Sequence, residues 1–152
     1  MKNFQDIINH CLAQVGEVFP WDLETLLEDD VPPLLLDIRE PYEFDELHIK
    51  DSLNVPRGIL ETACEYNYEE TVPELAAARA REIIVICRSG NRSVLAAHTM
   101  QLMGYQNVKS LKTGVRGWND YELPLHSATG DVIDPDDAEE RLAPNLRPEQ
   151  LQ

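Results

Sequence analysis

Four consecutive β-branched residues, Ile83, Ile84, Val85 and Ile86, form an unbroken apolar run. A strand with one face in water alternates apolar and polar side chains, so a run without alternation is typical of a strand buried on both faces. Such strands belong to parallel sheets that are covered by helices on both sides. The run therefore favours the α/β class.

The rest of the chain alternates between strand and helix patterns. Two helices are predicted with specific ends: one begins near Trp21 with Asp22 as its N-cap, and one over residues 94–103 ends at Gly104 as its C-cap glycine. Adjacent prolines end the first of them. The alternation predicts a three-layer α/β/α domain whose mostly parallel sheet has about five strands. The other predicted strands are residues 15–19, 34–38, 52–55 and 107–111, and the other predicted helices are residues 2–14 and 74–81.

Cys87 directly follows the apolar strand, and a helix is predicted to begin near Ser93. Reactive groups in open α/β sheets gather at the carboxyl ends of the strands. Gly90 allows a positive φ, so the intervening backbone can curl its amides into an anion-binding nest at the helix N-terminus. Arg88 and Arg92 add positive charge. This pattern predicts a cysteine that ionises readily and can carry a persulfide, rather than an inert cysteine at a strand end.

Three ordered motifs resemble those of a known family. The loop from Cys87 to Ser93 resembles the active-site loop of single-domain rhodaneses, which are sulfurtransferases. Residues 34–44, with residues 48–49 and 54–56, are similar to the upstream signature of that family. Residues 104–111 and 114–118 are similar to its downstream signature. The resemblance covers about residues 17–125 and implies a rhodanese-like fold.

The resemblance also implies an activity. Cys87 would take sulfane sulfur from a small anionic donor such as thiosulfate and pass it to a thiophilic acceptor, without a metal or an organic cofactor. The donor and the persulfide would be held by the rest of the loop, namely Arg88, Ser89, Gly90, Asn91, Arg92 and Ser93. Two positions depart from the family pattern, because Leu47 and Thr113 stand where glycines are usual. Both departures predict altered local geometry outside the nucleophile loop.

Loop length bears on two alternatives. Four residues separate Cys87 from Arg92, whereas phosphatases of this fold are expected to have one residue more, which widens the cradle for an oxyanion. The shorter loop favours sulfur transfer over a phosphatase-like or arsenate-reductase-like enzyme. A sulfur relay or binding module with little turnover on small donors is the other alternative.

Several charged residues elsewhere are weaker candidates for the site. Asp37 and Arg39 end the second strand and could contact the loop or the substrate, but an ion pair with Glu43 or Glu46 is the favoured interpretation. Arg57 could add positive charge to the pocket, although a place on a surface helix pair fits equally well.

Three features between the motifs are interpreted without a catalytic role. His48 is interpreted as structural, because a cysteine ionised by its nest needs no base. Cys64 is interpreted as a bystander rather than as a resolving thiol. The segment of residues 59–80 is longer than a usual connection, and it could border the active site.

Charge and composition bound the partners and the location. The chain has 28 acidic and 13 basic residues, a net charge of −15, which argues against nucleic acid and anionic membrane surfaces. The acidity fits either solubility or a sulfur-carrier protein with a basic face. Because three cysteines show no metal spacing and no apolar run approaches the about 20 residues of a membrane helix, a cytoplasmic protein is expected.

The chain divides into three predicted parts. Residues 1–16 form an amphipathic helical extension, for which packing on the domain is the preferred interpretation. Residues 17–125 form the rhodanese-like domain, in which Trp118 is a core anchor. Residues 126–152 are an acidic, extended or partly disordered tail, with a short helix near residues 135–142.

Overall fold

A computed structural model describes residues 2–152. Within that range the sheet has five strands, all parallel, in the order β1-β5-β4-β2-β3. The predicted α/β class and the predicted five-stranded parallel sheet are therefore confirmed. The strands are β1 (Gly16–Val18), β2 (Leu34–Asp37), β3 (Leu53–Asn54), β4 (Glu82–Ile86) and β5 (Asn107–Leu111).

Eight α-helices and two 3₁₀ turns complete the described residues. The helices are α1 (Phe4–Leu12), α2 (Pro20–Leu26), α3 (Pro41–Glu46), α4 (Leu60–Ala63), α5 (Pro73–Ala76), α6 (Arg92–Leu102), α7 (Gly114–Asp120) and α8 (Pro135–Leu142). The 3₁₀ turns are Arg57–Ile59 and Pro148–Gln150. None of these helices is long and apolar enough to cross a bilayer.

The apolar run of the sequence forms β4, the central strand, and its side chains divide between two cores. Ile83 and Val85 face one core with residues of α1, α4, α5 and α6. Ile84 and Ile86 face the other with residues of α2, α7 and α8. All four side chains are fully buried, and each contributes about 1.5–3 kcal/mol of hydrophobic stabilisation. Burial on both faces explains the missing alternation and confirms the three layers.

Two local predictions about helix ends are wrong. Helix α2 begins at Pro20, so Asp22 lies in its first turn and Phe19 occupies the N-cap position. Proline at the first helical position explains the earlier start, because its missing N–H would be unpaired there in any case. The helix predicted over residues 74–81 stops at Ala76, whose carbonyl accepts a hydrogen bond of 2.8 Å from the Arg79 guanidinium.

The extended conformation predicted for residues 126–152 is wrong for the part up to Leu142. His126 exchanges two backbone hydrogen bonds with His48, of 2.8 and 2.9 Å. The short helix expected near residues 135–142 is present as α8, and its Ala138 and Leu142 are buried in the same core as Trp118. A few apolar side chains at helical spacing are therefore enough to dock this acidic segment.

The N-terminal helix packs on the domain, as the sequence favoured. Ile8 and Cys11 on one face of α1 are buried in the core shared with α6, whereas Phe4 and Ile7 are exposed. The exact limits of the three predicted parts of the chain stay predictions.

Candidate active site

Cys87 lies at the carboxyl end of β4 with its thiol facing the backbone of its own loop. Its sulfur, Sγ, accepts hydrogen bonds from the N–H groups of Gly90 at 3.1 Å and of Ser93 at 3.3 Å. Gly90 has the predicted positive φ, at +91°. The residue is only 1% exposed, so the sulfur lies at the bottom of its loop and not on the surface.

Helix α7 fixes the outer side of the same loop. The N–H groups of Val115 and Arg116 donate to the carbonyls of Cys87 and Arg88, both at 3.0 Å. Since these two carbonyls point away toward α7, the loop is free to aim N–H groups at the sulfur. Gly114 makes this contact possible, because a Cβ there would lie 2.4 Å from the Cys87 carbonyl oxygen.

A buried pair of serines extends the hydrogen bonding of the thiol. The Ser93 hydroxyl lies 3.3 Å from Sγ and 2.7 Å from the hydroxyl of Ser110 on β5, and both serines are fully buried. With an ionised Cys87, Ser93 donates to the sulfur and can accept from Ser110. Sequence reasoning missed Ser110; its only signal was a small polar residue inside a strand that pairs with β4.

The two arginines of the loop have different surroundings. The Arg92 guanidinium makes two 3.0 Å hydrogen bonds to the carboxylate of Glu43 on α3. Arg88, by contrast, forms no ion pair with any residue in the described range. The sequence predicted equal donor-binding roles for both arginines. Of the two, however, only Arg92 has its charge neutralised by a carboxylate.

The pairing of Arg92 with Glu43 changes the pKa of both groups. Burial raises the pKa of Glu43, but hydrogen bonds from Arg92 and from the Glu40 N–H, together with the Arg92 charge, outweigh it. The pKa of Glu43 therefore lies below its ordinary 4.5. The hydrogen bond with Glu43 raises the pKa of Arg92, which keeps this pair charged across the neutral range.

Asp37 and Arg39 pair with each other. The Arg39 guanidinium donates to the Asp37 carboxylate at 2.8 Å and to the Leu47 carbonyl at 2.7 Å, and both side chains are 1% exposed. The expected ion pair of this strand end with Glu43 or Glu46 is therefore wrong, since Glu43 is bound by Arg92. The buried pair ties the end of β2 to the turn after α3.

Arg57, another candidate, is bound elsewhere. Its guanidinium pairs with Glu61 at 2.8 Å and donates to the Thr99 hydroxyl on α6 at 3.3 Å. It is not among the residues that line the two cavities beside the Cys87 loop.

His48 and Cys64 have the structural surroundings that the sequence favoured. The His48 ring nitrogen Nδ1 lies 2.7 Å from the Phe44 carbonyl, and its ring stacks on that of Phe44. Cys64 is fully buried, and burial raises the pKa of its thiol, which disfavours a resolving thiolate.

No residue of the segment 59–80 lines either cavity beside the Cys87 loop, which favours the alternative of a surface helix pair. Within the segment, Arg79 donates to the carbonyls of Cys64 and Ala76 and pairs with Glu65 at 2.8 Å.

Two cavities flank the Cys87 loop, and Arg88 and Glu43 line both. The first, here the α1-side cavity, has a volume of about 440 Å³ and is lined by Phe4, Glu43, Arg88, Ser89, Asn91 and Arg92. The second, the α8-side cavity, has about 130 Å³ and is lined by Arg39, Tyr42, Glu43, Glu46, Leu47, Arg88, Arg141 and Leu142. Residues of α1 and of α8, the first and last α-helices, therefore line the cavities beside the loop.

The two departures from the family pattern differ in their geometry. Leu47 is extended at φ −162° and buried, so that position needs no glycine. Thr113 has φ +67°, a left-handed conformation that is costly for a β-branched residue. Its backbone nitrogen would lie 2.8 Å from a Cβ on Gly90, so the strained residue directly supports the nucleophile loop.

Replacing Thr113 with glycine is expected to stabilise the protein by about 1 kcal/mol, because the left-handed strain is removed. Urea denaturation followed by circular dichroism measures the change. The neighbouring Lys112→Gly, at a position without a positive φ, is the control and should destabilise. A loss of stability in Thr113→Gly would show that the side chain contributes more than the strain costs.

The chain matches known proteins over the same region. The family model of the Rhodanese-like domain matches residues 20–121. A sulfurtransferase of Allochromatium vinosum is 29% identical over 116 residues, which cover 76% of this chain and 99% of that protein. A candidate sulfur carrier protein of Bacillus subtilis is 35% identical over 85 residues, which cover 55% of this chain and 40% of that protein.

Of the other curated relatives, the chain spans between 21% and 66% of their length. Among solved structures, a thiosulfate sulfurtransferase of Pseudomonas aeruginosa aligns with a TM-score of 0.67 at 20% identity, over 91% of this chain and 26% of that one. The match of the family model over most of the sheet and the nucleophile loop, together with the shared fold, shows that the chain belongs to the Rhodanese-like domain family.

Proposed function

We propose that this protein is a sulfurtransferase that carries sulfane sulfur on Cys87 as a persulfide, with thiosulfate or a related anion as donor. The observation that carries the proposal is the thiol held by two backbone N–H groups inside a loop with only four residues between Cys87 and Arg92. Two N–H donors and a serine hydroxyl stabilise one sulfur anion.

The proposed reaction has two half-reactions. The Cys87 thiolate attacks the outer sulfur of thiosulfate, the S–S bond breaks, and sulfite leaves with the bonding electron pair. A thiolate acceptor or cyanide then attacks the outer persulfide sulfur, and Sγ departs as the thiolate. This covalent route predicts ping-pong kinetics.

The roles of the other loop residues follow from their surroundings. Arg88, which forms no ion pair and lines both cavities, attracts the anionic donor, and Ser89 and Asn91 flank Arg88 on the α1 side of the loop. Arg92 is bound to Glu43, so its proposed role is to fix the loop against α3. No metal or organic cofactor has a role in these steps. A cytoplasmic location and a carrier protein with a basic face stay predictions.

The proposal is tested by intact-mass spectrometry of reduced protein after incubation with thiosulfate. The wild type is expected to gain one sulfur atom, which cyanide then removes. Cys87→Ser is expected to gain none, whereas Cys64→Ser, the matched control at a buried thiol, should load like wild type. Failure of the wild type to load from thiosulfate, polysulfide or a protein persulfide would contradict the proposal.

A relay module is the second candidate, and the similarity to a candidate sulfur carrier protein favours it. Slow thiosulfate turnover combined with rapid transfer between Cys87 and a protein thiol would support this candidate. The short loop between Cys87 and Arg92 argues against a phosphatase-like activity. Hydrolysis of a phosphate monoester by the wild type but not by Cys87→Ser would support that activity.

A further inference from the structure

The α8-side cavity is built partly from outside the matched region. Arg141 and Leu142 belong to α8, whereas the family model ends at residue 121. Leu142 anchors the helix in the core at 6% exposure, and Arg141 faces the cavity that also contains Arg88. The volume of about 130 Å³ is large enough to hold a small anion.

The charges around this cavity nearly cancel in pairs. Asp37 neutralises Arg39 at 2.8 Å, and Glu43 binds Arg92 at 3.0 Å. Glu46 is the remaining carboxylate, and its Oε1 lies 4.0 Å from Nε of Arg141. One positive charge is then left over, that of Arg88.

Glu46 and Arg88 line the same cavity, and Arg141 is the basic residue in the described range that pairs with Glu46. Both members of the Arg141–Glu46 pair are about half exposed, at 41% and 48%, so their attraction is weak and can be rearranged. Without Arg141, the carboxylate of Glu46 would face Arg88 across the cavity and lower its attraction for an anion. Without Glu46, Arg141 itself would be available to the anion.

From this arrangement we infer that α8 belongs to the donor site: Arg141 is a positioning residue that sets the charge of a subsite for the oxyanion end of the donor. The inference rests on the proposed function for the identity of the donor. In this inference, the C-terminal segment that contains α8 favours small anionic donors over uncharged ones.

The test is an NMR titration with thiosulfate of ¹⁵N-labelled full-length protein carrying Cys87→Ser, because a serine at this position cannot take up the sulfur. Arg141→Gln is expected to weaken thiosulfate binding about two- to fivefold, and Glu46→Gln to tighten it by a similar factor. Both effects should shrink as the salt concentration rises. Arg147→Gln, which removes an exposed arginine paired with Glu149 in the same segment, is the control and should change nothing.

The opposite signs distinguish a charge effect from a packing effect. Unchanged affinity in both variants, or weakening in both, would overturn the inference, as would the absence of any thiosulfate binding. Sulfur loading of wild-type Cys87 is measured in parallel. If affinity follows the charges but Cys87 never loads, the proposed function fails and the anion subsite stands; if Cys87 loads but affinity ignores the charges, only the inference fails.

Discussion

Replacing Gly114 with alanine is expected to destabilise the protein by about 2–4 kcal/mol and to lower sulfur transfer at least about a hundredfold. The new Cβ would lie 2.4 Å from the Cys87 carbonyl oxygen and 2.5 Å from the Arg88 carbonyl carbon. Gly114 also has φ +61°, which alanine adopts only with strain. Relief of these contacts must push α7 and the nucleophile loop apart.

The loss of activity follows from the carbonyls that α7 holds. If the loop moves, the hydrogen bonds from the Val115 and Arg116 amides to the carbonyls of Cys87 and Arg88 break. The N–H groups of Gly90 and Ser93 then no longer point at the sulfur. Denaturant unfolding and cyanide-dependent sulfur release from Cys87 measure the two effects. Gly130→Ala is the matched control: Gly130 also has a positive φ, +86°, but open space around its Cβ position. Equal behaviour of the two variants would exclude a special role for the close contact at Gly114.

Replacing Arg39 with methionine is expected to cost about 3–5 kcal/mol of stability, because the Asp37 carboxylate would remain buried without its partner. The Leu47 carbonyl would also lose its 2.7 Å hydrogen bond, and the turn that follows α3 would loosen. Thermal unfolding by calorimetry gives the loss.

The double variant Asp37→Leu with Arg39→Met is the control for this explanation. Buried ion pairs replaced together by apolar side chains often leave stability nearly unchanged, so the double variant should recover a large part of the loss. A double variant less stable than Arg39→Met would mean that Asp37 contributes through its bond to the Arg39 backbone N–H rather than through the pair.

Sequence reasoning predicted the centre of the fold because the signals there are local. The β-branched run, the cysteine after it, Gly90 and the following helix are adjacent in the chain, and each has a direct physical meaning. Hence β4, the loop and α6 are found with their expected arrangement. The docking of residues 126–142 escaped prediction, because a short acidic helix gives little apolar signal of its own.

The partners of the charged side chains could not be predicted in the same way. Arg92 and Glu43 are 49 residues apart, and their pairing depends on how α3 lies against the loop. Ser110 meets Ser93 only through the register of β5 against β4. The sequence shows that an arginine is charged but not which carboxylate it pairs with. For this reason Arg88 and Arg92 were assigned equal roles from the sequence, although their surroundings in the fold differ.

The pairing of β1 with β5 has a consequence for how this protein is made. Gly16 pairs with Lys109 and Val18 with Leu111, so β1, which leaves the ribosome before the other four strands, has no partner strand until β5 follows. Contacts so distant in the chain raise the contact order and slow folding. Until β5 emerges, a nascent chain exposes the apolar edge of β4, where premature association with other chains is favoured. Because Ser110 and the start of α7 lie in or after β5, the Cys87 loop gains its hydrogen bonds from these residues only when synthesis of the sheet is complete.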